Sequence, residues 1–177
     1  MKKGLIQVYT GNGKGKTTAA IGQAIRAMGR GWRIMVVFWL KGERTSGEME
    51  ILKKLGAKVI FWGEEYGKKL ITGKPVGNKD NIKKEAKDFL NKIKGIIEKE
   101  RYDLLIMDEI NVALHYGFIE EKEILDFLKE KPSSLELILT GRKALQSIIC
   151  MADLVTEVKK IKHPYNSKIK ARGGIEY

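Results

Sequence analysis

The 177-residue sequence predicts an α/β fold, with a mostly parallel central sheet and helices on both of its faces, on three observations. Short apolar runs alternate with segments of helical period along the chain. The runs are continuous in their apolarity, the pattern of strands buried on both sides. The first run ends in a glycine-rich loop that opens straight into a helix, and repeated strand–helix units return through right-handed crossovers to a parallel sheet.

Leu5-Ile6-Gln7-Val8-Tyr9-Thr10 is the first strand. A helix is expected from Lys16 to about Met28, with Ala20, Ala24 and Ala27 on one face and Gly29-Arg30-Gly31 as its stop. Arg33–Leu40 reads as the second strand, Glu48–Leu55 as a helix and Ala57–Trp62 as the third strand. Glu64 to Lys79 is rich in glycine and lysine without a clean period, and reads as a loop that orders around a ligand. Ile82, Ala86, Phe89, Ile93 and Ile97 keep helical spacing and predict a long amphipathic helix to about Glu100. Tyr102–Met107, Leu135–Leu139 and Leu154–Val158 complete the strands, with helices over Glu120–Lys129 and Lys143–Met151. No linker or repeat interrupts the pattern, so residues 1–177 are expected to form one domain.

The net charge of +12 arises from lysines over Lys68–Lys99, Lys122–Lys131 and Lys159–Lys170, mixed with glutamates and lacking regular aromatic interleaving. That pattern reads as a solvated surface, and charge alone gives no reason to expect a nucleic-acid partner. No apolar run approaches the ~20 residues that span a bilayer, so no membrane association is expected. Met1-Lys2-Lys3-Gly4 leads directly into a strand without a cleavage-site pattern, against a secretory signal. The single cysteine, Cys150, has no partner for an internal disulfide and suits a cytoplasmic location. With only His115 and His163 as histidines, a Cys/His metal cluster is excluded.

Thr10-Gly11-Asn12-Gly13-Lys14-Gly15-Lys16-Thr17 carries the chemistry most clearly. A phosphate-binding P-loop has glycine, four residues, then Gly-Lys-Ser/Thr. Thr10 stands at the first position here, but Gly11, Gly13 and Gly15 still let backbone N–H groups wrap an anion. The following helix adds the partial positive charge of its N-terminus. Lys16 supplies a point charge for phosphate oxygens, and the Thr17 hydroxyl is a ligand for Mg²⁺. The loop therefore predicts binding of a nucleoside triphosphate with Mg²⁺.

The fourth strand carries the apolar run Leu104-Leu105-Ile106-Met107 and ends in Asp108-Glu109. Such a site needs an acid at the end of a neighbouring strand to hold the metal, directly or through water. Either Asp108 or Glu109 can serve. Thr140-Gly141-Arg142 and Lys41-Gly42 also follow apolar strands and fall on the same carboxyl edge, which makes Arg142 and Lys41 candidates either for phosphate contact or for capping a loop.

The chain resembles the CobA/BtuR/CobO-type ATP:corrinoid adenosyltransferases. The resemblance runs from Thr10–Ala20 through Lys41-Gly42 with Gly47-Glu48, then Met107-Asp108-Glu109 and Thr140-Gly141-Arg142. It continues in Ala152–Glu157, Lys162-His163-Pro164-Tyr165 and the closing Ile169–Tyr177. The resemblance implies a RecA-like P-loop fold, a homodimer, and transfer of the 5′-deoxyadenosyl group of ATP to the Co(I) of cobalamin or cobyrinic acid a,c-diamide. Triphosphate leaves whole, and a reduced flavoprotein is the implied electron donor. By position, Gly11, Asn12, Gly13, Lys14, Gly15, Lys16, Thr17 and Thr18 would hold ATP, with Lys16 and Glu109 as the catalytic pair. Thr17 with Glu109 or Asp108 would bind Mg²⁺ or Mn²⁺. Some members carry Gly-Phe-Thr-Trp after the third strand, with aromatics beneath the corrin. Alignment from Gly56 places Glu65-Tyr66-Gly67-Lys68 there, so Tyr66, with Phe61 and Trp62 nearby, is the implied corrinoid contact. Phe61 and Trp62 read more readily as ordinary core aromatics. The alternative function is a RecA-like ATPase acting on nucleic acid.

Overall fold

The computed structural model describes residues 3–42, 47–164 and 170–175. Strand β1 (Ile6–Thr10) runs into α1 (Lys16–Met28), and β2 (Ile34–Trp39) into α2 (Glu48–Lys54) and β3 (Lys58–Trp62). Helices α3 (Glu64–Thr72) and α4 (Lys79–Lys99) lead to β4 (Leu104–Asp108) and α5 (Ile110–His115). Then come α6 (Glu121–Glu130), β5 (Glu136–Thr140), α7 (Gln146–Met151) and β6 (Leu154–Glu157). The sheet order is β3-β2-β4-β5-β1-β6, and each neighbouring pair is parallel. One strand, β5, therefore separates the glycine loop at the end of β1 from the acid pair at the end of β4.

Strand alternation divides the core between two faces. Ile34, Val36 and Phe38 of β2 pack with Ala20, Ala24 and Ala27 of α1 and with Met49 and Leu52 of α2. Met35, Val37 and Trp39 point the other way, into a cluster with α4, α5 and α6. The apolar spacing of α4 serves that second face, burying Ile82, Ala86, Phe89, Leu90, Ile93 and Ile97.

Two sequence expectations need correction. The segment taken as a ligand-ordered loop holds α3, whose ends are marked by Gly63 and Gly73 at φ 76° and 68°. The left-handed backbone at Gly73 closes the helix without a Cβ penalty, so a turn this short needs no long period to be stable in context. The helix expected from Lys143 begins only at Gln146, because Lys143 itself lies at φ 58°, outside helical geometry. The short α5 escaped the periodicity reading.

Part of the lysine surface is paired internally. Lys83, Lys87 and Lys94 of α4 meet Glu120, Glu123 and Glu130 at the face of α6, at 2.5, 2.9 and 2.9 Å. Such exposed pairs each contribute at most about 1 kcal/mol, but they orient two amphipathic helices side by side. At the start of α4 the Asn78 side chain accepts hydrogen bonds from the N–H groups of Asp80 (2.8 Å) and Asn81 (3.4 Å). Asn78→Ala removes this cap and is expected to lower unfolding stability by about 1 kcal/mol, read from the urea midpoint at unchanged slope.

Candidate active site

The loop after β1 lies against the segment beyond β6. The N–H of Gly13 donates to the Val158 carbonyl (2.7 Å), and the N–H of Val158 to the Thr10 carbonyl (2.8 Å). A Cβ on Gly11 would stand 2.5 Å from the Val158 carbonyl oxygen, so only glycine permits this approach. Among the described residues no side chain caps α1, which leaves the N–H groups of its first turn available to an anion. Lys16 is buried, and its Nζ donates to the carbonyls of Gly11 (2.8 Å) and Gly13 (2.7 Å). Burial lowers its pKa, Arg142 lowers it further, and Glu109 and Asp108 oppose the shift.

The acid pair divides its labour. Asp108 is fully buried; its Oδ1 accepts the Thr140 hydroxyl (2.7 Å) and its Oδ2 accepts Lys41 Nζ (2.7 Å). Burial presses the Lys41 ammonium down in pKa, but the Asp108 carboxylate outweighs this and the net shift is upward. The Thr140 oxygen in turn accepts the N–H of Glu109 (3.0 Å). Glu109 lies at φ 62°, with burial and then Asp108 raising its pKa against Lys41, Lys16 and Arg142. Leu40 (φ 61°) and Lys143 (φ 58°) share that left-handed backbone. All three lie just beyond the carboxyl ends of β2, β4 and β5, and non-glycine residues in this region concentrate strain at functional edges.

These parts open on a cavity of about 970 Å³. One wall is polar: Gly13 to Thr18, Lys41, Glu109 and Arg142. The apolar part of the lining comes from Ile21 and Ile25 of α1, Ile51 and Leu52 of α2, and Ile71 of α3. Ile175 and His163 close it from the C-terminal segment. Ile71 is 88% exposed and Ile175 57%, so part of this apolar lining is open surface in a cavity that also carries charged groups. That combination suits a large amphipathic ligand beside a polyanion.

Lys14, Gly15, Lys16, Thr17, Thr18, Lys41, Glu109 and Arg142 thus meet at one place, as the sequence implied. Gly11 and Asn12 belong to the loop but do not line the cavity, and Asp108 sits behind it. Phe61, Trp62 and Tyr66 are not brought to the cavity. Tyr66 is buried, donates to Glu85 (2.7 Å) and packs on Trp62 and Phe118. Trp62 packs on Trp39 and Phe89, while Phe61 joins the opposite face of the sheet beneath Lys53. Strand alternation puts Phe61 and Trp62 of β3 on opposite faces of the sheet, while the helical state of α3 turns Tyr66 inward and sets Glu64, Gly67, Lys68 and Ile71 along the cavity. Their 0, 3, 4, 7 spacing was the available signal for this wall. Tyr165, Ile169 and the last two residues of the expected C-terminal block lie outside the described residues.

The donor set fits a magnesium ion. The Thr17 hydroxyl and the Glu109 carboxylate are hard oxygen donors on the polar wall, and both oxygens of Asp108 are already engaged. Among the described residues no group of three or more His, Cys, Asp or Glu forms a protein cage for an ion. Few protein ligands beside phosphate oxygens and water is the usual coordination of Mg²⁺. A bound cation would also favour the ionised form of Glu109, whose pKa is raised first by burial and then by Asp108.

A glycine loop and a carboxylate strand end, separated by one strand on the carboxyl edge of a parallel sheet, define a P-loop nucleotide-binding α/β protein. A KaiC-like protein of Pyrococcus horikoshii has a similar fold, with a TM-score of 0.55 at 20% identity over 89% of this chain and 74% of that one. The model of the family ATP:corrinoid adenosyltransferase BtuR/CobO/CobP matches residues 2–177. A corrinoid adenosyltransferase of a Sinorhizobium species is 40% identical over 99% of this chain and 81% of its own length. That of Escherichia coli K12 is 32% identical over 99% of this chain and 87% of its own. The chain belongs to the ATP:corrinoid adenosyltransferase family. It is an enzyme of that class, and the alternative of a nucleic-acid-stimulated ATPase gives way to it.

Proposed function

We propose that this chain moves the 5′-deoxyadenosyl group of ATP to the Co(I) of a reduced corrinoid, and that the cavity with one polyanion-binding and one apolar wall carries both substrates. The Co(I) lone pair forms the cobalt–carbon bond at C5′ as the C5′–O bond breaks, and its electron pair leaves with triphosphate. The protein therefore needs no nucleophile of its own; its task is to stabilise charge that develops on the leaving group. Lys16 exchanges two neutral carbonyl acceptors for phosphate oxygens, and the open N–H groups of α1 face the same anion. Thr17 and Glu109 would hold Mg²⁺ (or Mn²⁺), which supplies further neutralisation of the triphosphate when bound. Arg142 adds a cation at the rim. Ile25, Ile51, Ile71 and Ile175 offer the corrin an apolar surface in place of the inward-turned aromatics.

The family resemblance supports three further parts of the reading: a homodimer, a reduced flavoprotein as electron donor, and a cytoplasmic location. No described helix is long and apolar enough to cross a membrane. We propose no nucleic-acid partner for a surface on which lysines of α4 pair with acids at α6. Incubation with ATP and chemically reduced cobalamin should yield one triphosphate per organocobalt product formed, followed by its visible spectrum and by anion chromatography. Release of ADP and phosphate without a cobalt–carbon product would refute the proposal.

A further inference from the structure

The hydroxyl of Thr140 is the junction of the site. It lies at the end of β5, the strand between the loop strand and the acid strand. Its O–H donates to Asp108 Oδ1 (2.7 Å) while its oxygen accepts the N–H of Glu109 (3.0 Å). Asp108 cannot turn away, because Lys41 holds its other oxygen at 2.7 Å. Glu109 itself occupies a backbone region unfavourable to any residue with a Cβ, at φ 62°, and so needs neighbours that over-determine it.

We propose that Thr140 is a positioning residue for Glu109, acting with Lys41 through the buried Asp108 to aim the Glu109 carboxylate at the metal of the nucleotide complex. This rests on Glu109 being the metal-binding acid. Thr140 is then more than a plug at a strand end. Valine preserves its shape but can neither donate to Asp108 nor accept from Glu109, whereas serine preserves both bonds.

Binding of Mn²⁺ by the folded protein with saturating ATP and no corrinoid, followed by electron paramagnetic resonance, tests this without turnover. Thr140→Val is expected to weaken Mn²⁺ binding about tenfold, the usual scale for losing a group that orients a metal ligand. Metal-free ATP binding should stay at the wild-type level, and Thr140→Ser should restore Mn²⁺ affinity. Parallel loss of metal and metal-free ATP binding would mean a merely structural role and overturn the proposal, as would wild-type Mn²⁺ affinity in Thr140→Val. If Thr140→Val does not fold, Thr140→Ala, which removes both bonds without placing a methyl where the hydroxyl stood, decides, and must show the same metal-selective loss. Glu109→Gln separates the two levels. Unchanged Mn²⁺ affinity there removes Glu109 as the metal ligand. Loss there, with none in Thr140→Val, removes only the positioning role.

Discussion

Lys16→Ala is expected to lower the rate constant of adenosyl transfer at saturating ATP by about 10²- to 10³-fold, the scale for deleting one preorganised group that meets developing charge. Lys16 is only 6% exposed, so water cannot replace its ammonium at the phosphate. Its depressed pKa has the same origin: burial disfavours the charge, and a polyanion arriving in the cavity restores it. The lysine is already oriented by the carbonyls of Gly11 and Gly13, so binding triphosphate requires a short movement of one side chain. Removing it also leaves those two carbonyls without their donor, at about 1 kcal/mol of stability or somewhat more. Activity and stability therefore have to be measured together. The check is single-turnover formation of the cobalt–carbon product at saturating ATP, beside the affinity for free triphosphate and the thermal midpoint. A folded Lys16→Ala that transfers adenosyl at the wild-type rate would remove Lys16 from the chemistry.

What the sequence made legible followed from local rules. The strand–loop–helix unit around Gly11–Thr17 is specified by its own glycines and lysine, and α1 begins and ends where these residues place it. The apolar runs became parallel strands because each is buried on both faces, which continuous apolarity encodes directly. The cavity's polar wall was legible because every strand end carries its polar residue at the same edge. Three things were not. Asp108 and Glu109 are chemically interchangeable as a pair of letters, and what separates them is Thr140, 32 residues away from Asp108. The positive φ of Glu109 has no glycine or asparagine to announce it. And α3 has too few turns to display a period, so its inward Tyr66 and outward Lys68 could be told apart only once the helix was seen to pack.

Gly67→Ala isolates that helix. A Cβ at Gly67 would stand 1.9 Å from the Leu40 carbonyl oxygen and 2.9 Å from its carbon, both backbone atoms that cannot swing aside. Alanine is the better helix former by about 1 kcal/mol, so local propensity alone predicts stabilisation. Overpacking of this kind costs about 1 to 3 kcal/mol and wins. The relief available is for α3 to withdraw from β2, carrying Glu64, Lys68 and Ile71 of the cavity wall with it. Displacement by about 1 Å is enough to reduce turnover by roughly 10²-fold when it misplaces a reacting partner. The loop after β1 and the start of α1 belong to other elements, so ATP and triphosphate binding should persist in Gly67→Ala while corrinoid adenosylation falls. Isothermal titration with triphosphate, set against the rate of organocobalt formation over a range of corrinoid concentrations, reads the two sides separately. Equal losses on both sides would mean that α3 supports the nucleotide loop as well. Normal adenosylation in a folded Gly67→Ala would show that the corrin does not rest against this helix, and would move its binding surface to the isoleucines of α1 and α2.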